Sequence, residues 1–422
     1  MRRGDRSKSI DLLCEEEVVE AVIRARESGG GVRAVGSGGS KSAVTSTPDV
    51  ALRLDPPDSC LDVSGGLVTV PAGMTCGLLL RLLRREGLTL PTVGEWRNAT
   101  VAGAVATGTH GGSAHHGIMP TSVLRISMVT GTGESKEISR GDPDFEHVGV
   151  SLGCFGIVCK VTLECVEHFS LQVETDVVPF AEYIEDPVAQ ESRSEFHSSI
   201  WVPSARRVIR FAADRTSHPA RSVRRRPRFG KWMALANFLT RGLGFHGIVS
   251  SPFFQRTAVG HCADILAPLN VPPRVARFRN VANKVRGRRA AELAVASSRT
   301  VEVLTRFDAF FRNHEDSLNN PIGLRMSSAD EFSLSPCQGR NTLWLDIFYD
   351  ANEPFESELA ALAGELGARC HWGKTLALPP AVLRKRYAGW DAYRSARARF
   401  DPDEVFANAF TSALGLTAEA PR

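Results

Sequence analysis

Two glycine-rich segments of the chain have the composition of a ligand-binding surface. The first, VRAVGSGGSKS, runs from Val32 to Ser42 and places a run of small residues after an apolar strand pattern. Successive N–H groups without side-chain bulk form a concavity that binds anions such as a pyrophosphate. The second, from Leu90 to Gly117, is almost free of bulk in its middle, so that a large flat ligand can lie on its amides. Together they predict a dinucleotide site, although either segment alone is equally compatible with a glycine-rich turn that binds nothing.

The spacing of the first segment excludes the common dinucleotide-binding turn. In the G-x-G-x-x-G motif a strand passes through the glycine turn directly into a helix. Here the residues from Ser40 to Val44 are followed by Thr45, Ser46, Thr47 and Pro48, which do not continue as a helix. The predicted site is therefore not of the Rossmann type.

Three further segments accompany these two in sequence order. They are VTVPAGMTCGLLLRLL (Val68 to Leu83), VSLGCFGIVCKVTLECV (Val150 to Val166) and HWGK (His371 to Lys374). The five segments together resemble the aldonolactone oxidase group of the vanillyl-alcohol-oxidase flavoprotein superfamily, within it the L-gulonolactone oxidases and, more distantly, the alditol oxidases. The resemblance extends from about Ile10 to Leu416 and so covers nearly the whole chain.

This resemblance implies a fold class and a domain plan. The expected fold is α+β, with a two-subdomain PCMH-type FAD-binding domain, an α+β substrate or cap domain, and a C-terminal segment that returns to the FAD domain. A length of 422 residues agrees with more than one domain. On this chain we expect the three parts at residues 1–168, 169–368 and 369–422, because the pattern changes around Glu167 to Leu171.

FAD is the cofactor that the resemblance implies. Relatives carry a histidine in G-x-G-H-S that forms a covalent bond to the 8α carbon of the flavin, whereas this chain has Gly39 in that position. Glycine has no nucleophile, so we predict FAD held without a covalent bond. Gly94 matches the small residue that relatives keep where oxygen approaches the flavin. The expected FAD-binding residues are Gly36, Ser37, Gly38, Gly39, Ser40, Gly94, Thr100, Gly103, Thr107, Gly108, Thr109, His110, Ile157 and His371.

Oxidising an alcohol with a flavin needs a group that takes the hydroxyl proton and positive charge near the flavin as it gains electrons. The resemblance assigns Lys374, in HWGK, to the active site and Arg325 to contact with substrate or flavin. The glutamate that the family carries near this arginine falls on Gly323, so the expected acidic partner is missing. Glu95, in GEWR, is a candidate replacement; alternatively it pairs with Arg97 at a loop surface.

These residues predict an FAD-dependent oxidoreductase. Its substrate would be a CH–OH group of a sugar lactone, polyol or related polar alcohol, and its electrons would pass to O2 or to another acceptor. The alternative is a flavin-binding homologue without turnover that acts as a partner-binding or membrane-peripheral protein. Gly39 and Gly323 favour that alternative, whereas the HWGK motif and Arg325 argue against it.

The composition of the chain limits which partners and ligands we expect it to bind. A net charge of only +4, without a basic stripe, argues against nucleic acid. We predict no metal site, because His115 and His116 have no Cys, Asp or Glu partner at ligand spacing. The nine cysteines are scattered and the first residues contain no apolar run of signal-peptide length, so we expect a cytoplasmic protein with reduced thiols.

One segment leaves the relation to membranes open. Residues 221–254 begin with a basic cluster and continue as an apolar, aromatic-containing stretch that is interrupted by polar residues. It is too interrupted to span a bilayer. It is either a partly buried cap helix with a solvated arginine edge or a weak membrane-surface contact.

Hydrophobic periodicity and turn residues predict the elements that carry these motifs. Helices are expected at Glu15–Ser28, Thr75–Glu86 and Glu292–Asn313, and in the segment WDAYRSARARF near the end of the chain. Strands are expected at Val32–Val35, Val50–Leu54, Leu61–Val63, Leu67–Val70, Val123–Val129, Ser198–Val202 and Val208–Ala213, with a strand, turn and strand over Val150–Val166 and a strand, loop and strand over Pro321–Asp350.

Overall fold

A computed structural model describes residues 8–12, 14–46, 49–54, 61–217, 288–314, 317 and 321–417. These residues form an α+β fold built on a three-stranded, a five-stranded and a seven-stranded sheet. The interpretation of residues 221–254 falls outside them. In the described ranges, no helix combines the length and the apolar character needed to cross a bilayer.

The N-terminal sheet is parallel and carries the first glycine-rich segment at the end of a strand. Its strand order is β1-β3-β2. The helix that connects β1 to β2 has glutamates in its first turn and arginines in its last, as the helix dipole favours, and it buries its valine face. The elements are β1 (Lys8–Leu12), α1 (Glu15–Glu27), β2 (Val32–Ala34) and β3 (Val50–Leu54).

The five-stranded sheet is antiparallel, in the order β4-β5-β9-β7-β8. The second glycine-rich segment contains α3 and lies between β6 and β7, and β6 forms a separate two-stranded pair with β10. The elements are β4 (Asp62–Ser64), β5 (Leu67–Pro71), α2 (Cys76–Arg85), β6 (Leu88–Thr89), α3 (Val101–Ala106), β7 (Val123–Val129), β8 (Ser135–Ser139), α4 (Phe145–Val148), β9 (Ile157–Glu164) and β10 (Val166–Glu167).

The seven-stranded sheet is antiparallel, in the order β11-β13-β12-β15-β16-β14-β17. Its central strands are buried on both faces, which explains their nearly continuous apolar sequences. The elements are β11 (Ser170–Pro179), α5 (Phe180–Tyr183), α6 (Pro187–Ser192), β12 (Phe196–Val202), β13 (Arg207–Thr216), β14 (Arg288–Ala296), α7 (Thr300–Asn313), β15 (Ile322–Ser327), β16 (Thr342–Asp350), α8 (Glu353–Glu365) and β17 (Arg369–Cys370).

After β17 the chain packs back on the N-terminal half. The Tyr393 hydroxyl donates to the Ser151 carbonyl, and the Val32 amide donates to the Val405 carbonyl at 2.9 Å. The elements are α9 (Pro380–Arg384), α10 (Trp390–Phe400) and α11 (Ala409–Ala413), and short 3₁₀ turns occur at Ala43–Thr45, Met119–Ser122, Pro203–Ala205 and Ser297–Arg299.

Two sequence-based element predictions are wrong. Val150 begins a buried turn and not a strand, because Leu152 and Gly153 both have left-handed backbones (φ 50° and 71°) that extended structure does not allow. The first part of the predicted Glu292–Asn313 helix is strand β14. Its alanine-rich sequence suits a helix, but all nine residues of β14 pair with β16, so tertiary pairing overrides propensity. The other predicted helices and strands are confirmed, within a residue or a few at their ends.

One buried arginine ties several parts of the chain together. Arg33, on β2, is 2% exposed and its guanidinium donates to four backbone carbonyls. These are Gly153 at 3.1 Å, Phe406 at 2.7 Å, Val44 at 2.7 Å and Leu152 at 2.6 Å. The arginine therefore joins the first glycine-rich segment, the 150–156 turn and the C-terminal segment.

Replacing this arginine should destabilise the fold. Arg33→Met leaves buried carbonyls without donors, so we expect the free energy of unfolding to fall by about 3 kcal/mol. Urea unfolding followed by circular dichroism measures it. Arg85→Met, at an exposed arginine at the end of α2, is the matched control and should unfold like the wild type. Equal stability of the two variants would contradict the role assigned to Arg33.

Candidate active site

The two glycine-rich segments line one cavity of about 790 Å³. This volume lies in the range of cofactor and small-molecule sites in proteins. The seven-stranded sheet and the segment after β17 form the rest of its wall. The predicted site residues that line the cavity are Gly36, Ser37, Gly38, Gly39, Ser40, Gly94, Glu95, Thr100, Gly103, Thr107, Thr109, His110, Arg325, His371 and Lys374.

Gly108 and Ile157 are the two predicted site residues that do not line this cavity. Ile157 is buried with Val18, Val22 and other apolar side chains of the α1 layer, and its neighbours Gly156 and Val158 face the cavity instead. Gly108 has φ +67°, a left-handed backbone conformation that favours glycine over other residues. Their assignment to cofactor binding stays a prediction, because neither residue lines the cavity.

The cavity wall fits a dinucleotide because it has little bulk and many donors. A Cβ atom on Gly36 would overlap Thr100 Oγ1, and one on Gly94 would overlap Thr109 Cγ2, so only glycine allows these backbones to approach. The amides of residues 36–40 donate to no acceptor among the described residues. Such a turn can bind a phosphate group through its main chain.

Electrostatics at the same wall also favour an anion. Lys41 and Lys374 both line the cavity, and the Lys41 amide donates to the Gly373 carbonyl at 2.7 Å. Burial and the nearby Lys374 lower the pKa of Lys41. An anion such as a pyrophosphate, bound between the two lysines, would offset the repulsion between their positive charges.

A buried carboxylate, Glu292 on β14, lies at the centre of the remaining polar groups. Its oxygens are 3.3 Å from Lys374 Nζ, 3.1 Å from His110 Nε2 and 3.7 Å from an Arg325 guanidinium nitrogen. Lys374 also donates to Asp346 Oδ1 at 3.2 Å. Burial alone would raise the pKa of Glu292, but Lys374 and His110 outweigh it and hold that pKa well below its usual range. Glu292 is therefore an ionised partner for the cations.

The register of the sheet places two acidic residues in line with Gly323. Gly323 on β15 pairs with Asp346 on β16, and Asp346 pairs with Glu292 on β14. Directly paired residues of neighbouring strands have side chains on the same face. The position where the family has its glutamate thus stands in one row with two carboxylates on the next two strands.

The HWGK segment reaches this row by running beside β14. The His371 amide donates to the Glu292 carbonyl at 2.9 Å, and the Thr375 amide donates to the Ala290 carbonyl at 2.8 Å. These bonds bring Lys374 alongside the Glu292 carboxylate. Sequence reasoning missed Glu292 and Asp346, although each is a lone acidic residue inside an apolar run, which is a costly arrangement unless the charge is paired.

Glu95 lies against Arg325. The Arg325 guanidinium donates to the Glu95 carboxylate, and Arg325 is mostly buried whereas Glu95 is partly exposed. Burial would lower the pKa of Arg325, but Glu95, Glu292 and Asp346 together raise it. Of the two interpretations of Glu95, the geometry favours the one that puts it beside the cavity as the partner of the arginine.

Two histidines complete the cluster. The His110 ring stacks on Trp344 with centroids 3.8 Å apart, and its Nδ1 lies 2.8 Å from the Gly111 carbonyl. His371 Nδ1 accepts a hydrogen bond from the Gly373 amide at 2.9 Å. Burial lowers the pKa of His371 to about 3, so its ring is neutral at ordinary pH.

His110, Glu292 and His371 also bring three potential metal-ligand atoms within 4.8 Å of one another. The sequence by itself predicts no metal site. Lys374 and Arg325 already neutralise the Glu292 carboxylate, and their positive charge would repel a metal cation. We interpret the three residues as part of the hydrogen-bonded cluster.

The lowered pKa of Glu292 gives a pH-dependent prediction. Glu292→Gln should reduce the free energy of unfolding by about 3 kcal/mol at pH 7, because it removes one partner of buried charges. The folded state holds this pKa below the value of an unfolded glutamate, about 4.3. The stabilisation by Glu292 is therefore complete above about pH 4.3 and is lost as the pH falls through the lower folded pKa.

Urea unfolding of wild type and Glu292→Gln at a series of pH values measures this difference. The gap between the two proteins should narrow below about pH 4.3. Glu20→Gln, at an exposed residue of α1, provides the control and should show no gap. A gap that stays constant or widens in acid would mean that Glu292 is not held as the carboxylate.

Comparisons with known proteins agree with this geometry. The sequence model of the D-arabinono-1,4-lactone oxidase family matches residues 161–414, and that of an FAD binding domain matches residues 13–139. A cholesterol oxidase from B. sterolicum has a similar structure, with a TM-score of 0.75 at 15% identity, covering 96% of this chain and 93% of that one. That likeness concerns the fold, and it confirms the expected α+β, PCMH-type architecture.

Relatives in sequence match either almost the whole chain or about half of it. L-gulono-1,4-lactone dehydrogenase of Mycobacterium tuberculosis is 28% identical over 94% of this chain and 93% of its own length. L-gulonolactone oxidase of Bos taurus is 25% identical over 94% and 92%. D-arabinono-1,4-lactone oxidase of Eremothecium gossypii is 32% identical over 50% of this chain and 41% of its own.

These matches confirm the resemblance to the aldonolactone oxidases and the expectation of an FAD-dependent oxidoreductase, and they give no support to a homologue without turnover. A family match over more than half of the chain, an FAD-binding domain before it and a cavity that suits a dinucleotide lead to one conclusion: this chain belongs to the D-arabinono-1,4-lactone oxidase family.

Proposed function

We propose that this chain oxidises a CH–OH group of a sugar lactone, with polyols and related polar alcohols as further candidates. One observation carries the proposal. Lys374 and Arg325, cations from different parts of the chain, meet around Glu292 and Asp346 at the wall of the glycine-rich cavity. The names of the full-length relatives, lactone oxidases and dehydrogenases, support the same substrate class.

FAD would lie along the two glycine-rich segments. The amides of residues 36–40 would hold its pyrophosphate, and the bed of small residues that includes Thr100, Gly103 and Thr107 would contact the rest of the cofactor. When bound, FAD supplies the acceptor for the hydride that leaves the carbinol carbon. We propose that FAD is held without a covalent bond, because Gly39 offers no nucleophile.

The polar cluster would bind the substrate and stabilise charge. Lys374 and Arg325 present positive charge where negative charge develops during oxidation. Asp346 and Glu95, which both line the cavity, would accept hydrogen bonds from hydroxyl groups of the substrate. Glu292 is a positioning residue, because its low pKa makes it a weak base and its oxygens are already engaged by Lys374 and His110.

The electron acceptor and the location in the cell complete the proposal. We propose O2 as the acceptor, with Gly94 leaving room for its approach, and a second acceptor as the alternative. A cytoplasmic location is supported by thiols that are free throughout the described residues. Weak contact of residues 221–254 with a membrane surface rests on their sequence alone.

Anaerobic mixing with candidate substrates tests the reaction. We expect gulonolactone or arabinonolactone, and more weakly xylitol or sorbitol, to bleach the flavin absorption band at about 450 nm, which belongs to the oxidised cofactor. Lys374→Met should slow this bleaching by about 10²- to 10³-fold, because a preorganised charge is lost from the site.

The same stopped-flow measurement provides the control. Lys385→Met, at an exposed lysine after α9, should react like the wild type. No bleaching of the wild type with any of the four compounds would contradict the proposed substrates and favour a flavin-binding protein without turnover. An equal rate for Lys374→Met would remove Lys374 from the mechanism.

Acid precipitation tests how the flavin is held. With Gly39 in place of the linking histidine, we expect FAD to appear in the supernatant after the protein is precipitated, as its absorption spectrum will show. Flavin that remains with the pellet would demonstrate a covalent bond from another residue. A purified protein without flavin that also binds no added FAD would contradict the cofactor.

A further inference from the structure

Glu95 and Arg325 form an ion pair at the polar end of the cavity, and both residues line it. The Arg325 guanidinium donates to the Glu95 carboxylate, and another of its nitrogens lies 3.7 Å from Glu292 Oε1. The Glu95 side chain is 38% exposed, whereas that of Arg325 is only 10% exposed. Glu95 therefore lies on the solvent side of the pair.

The backbone around Glu95 is fixed by neighbouring elements. Gly94 packs so closely against Thr109 that a Cβ atom on it would overlap the threonine Cγ2. On the other side, the Gly77 amide in α2 donates to the Arg97 carbonyl at 2.7 Å. The ion pair therefore forms on a loop that is already held against α2 and the glycine-rich bed.

An arginine guanidinium in a binding site is a strong receptor for carboxylates. Its planar group of N–H donors matches the two oxygens of a carboxylate, and such charge-assisted pairs are among the strongest hydrogen bonds in proteins. Burial alone would lower the pKa of Arg325, but Glu95, more than Glu292 or Asp346, raises it. A carboxylate of the protein itself thus occupies the group that would otherwise attract an anionic ligand.

The balance of charges at this end of the cavity is unfavourable for a further anion. Three carboxylates surround two cations, and these five cavity-lining residues are Glu95, Glu292, Asp346, Arg325 and Lys374. Lys41 lines the cavity too, but it belongs to the glycine-rich turn that we assign to the pyrophosphate. A carboxylate that entered would lose its hydration and meet an excess of negative charge. A neutral compound can instead donate hydrogen bonds from its hydroxyl groups to the same oxygens.

A sugar lactone and its ring-opened aldonate differ in this property. Hydrolysis of the ester in the lactone ring leaves a carboxyl group that is ionised near neutral pH. We infer that Glu95 is a specificity-determining residue, whose ion pair with Arg325 makes the cavity bind the uncharged lactone and reject the aldonate. This inference rests on the proposed substrate class and deepens it, because it names the form of the sugar that the site selects.

Equilibrium binding to the FAD-loaded protein tests this role. Reduction of the flavin beforehand, without oxygen, prevents turnover, so that titration calorimetry gives dissociation constants for gulonolactone and for sodium gulonate. The wild type should bind gulonate about tenfold more weakly than the lactone, or weaker still. Glu95→Ala removes the charge and the volume of the side chain, so the dissociation constant for gulonate should fall about tenfold while that for the lactone changes less.

Three further variants show whether the effect is local. Glu95→Gln removes the charge and keeps the size, so it should shift the ratio of the two constants in the same direction, and it replaces Glu95→Ala if circular dichroism shows that variant unfolded. Glu95→Ala combined with Arg325→Met should lose the gain, because the guanidinium is gone. Glu302→Gln is the matched control and should bind both compounds like the wild type, because Glu302 pairs with Arg299 at 2.6 Å outside the cavity lining.

The outcomes separate this inference from the proposed function. Folded Glu95 variants that bind gulonate as weakly as the wild type would overturn the role of Glu95, and so would a gain that persists in the combined variant with Arg325→Met. A wild type that binds gulonate as tightly as the lactone would also overturn it. In each of these cases, bleaching of the wild-type flavin by a lactone leaves the proposed function intact. If no lactone bleaches the flavin but gulonate binding responds as expected, the proposed reaction fails and the role of Glu95 in charge selection stands.

Discussion

The buried carboxylate of Glu292 is the point where three distant parts of the chain meet. His110 comes from the glycine-rich bed, Arg325 from β15, and Lys374 from the segment after β17. At an effective dielectric constant of about 20, an ion pair at 3.3 Å is worth about 5 kcal/mol, similar to the several kcal/mol that burial of an ion costs. The pair with Lys374 is therefore nearly balanced by itself. The additional contacts to His110 and Arg325 decide in favour of the ionised state.

This balance explains how the site tolerates a glycine where the family has a glutamate. The cations need negative partners, but the strand that supplies those partners can differ. Gly323, Asp346 and Glu292 occupy one cross-strand row, so carboxylates on the next two strands lie on the same face of the sheet as residue 323. Two carboxylates in the same row as Gly323 therefore lie close to the cations Lys374 and Arg325.

The opposite wall of the cavity depends on the absence of side chains. Glycine at 36, 39 and 94 lets two segments far apart in sequence approach Thr100, Trp96 and Thr109 closely. The amides of the turn then line the cavity without acceptors among the described residues, next to the cations Lys41 and Lys374. One wall thus offers main-chain donors and a flat surface, while the other offers paired charges. A cofactor and a polar substrate need these two different surfaces side by side.

Much of the fold and of the cavity followed from local pattern and motif. The α1 helix, the hairpin of β7 and β8 and the paired strands β12 and β13 have periodicity that tertiary contacts do not override. The glycine-rich segments and HWGK pointed to the cavity because their residue types have few other uses. Where the prediction failed, long-range contacts were decisive. The composition of β14 favours a helix, but its residues pair with β16. The apolar neighbours of Val150 favour a strand, but Leu152 and Gly153 have left-handed backbones.

The sequence by itself therefore determined the family and the cofactor class, and it pointed to Lys374, Arg325 and His371, which line the cavity, since each lies in a continuous motif whose chemistry can be recognised without neighbours. Only the tertiary structure decided which acids complete the site and which aromatic ring faces Gly39. Glu292 and Asp346 meet through strand pairing, and Trp96 meets Gly39 through loop packing on α2. Such contacts join residues distant along the chain, and no local property of either residue encodes the partner it will have.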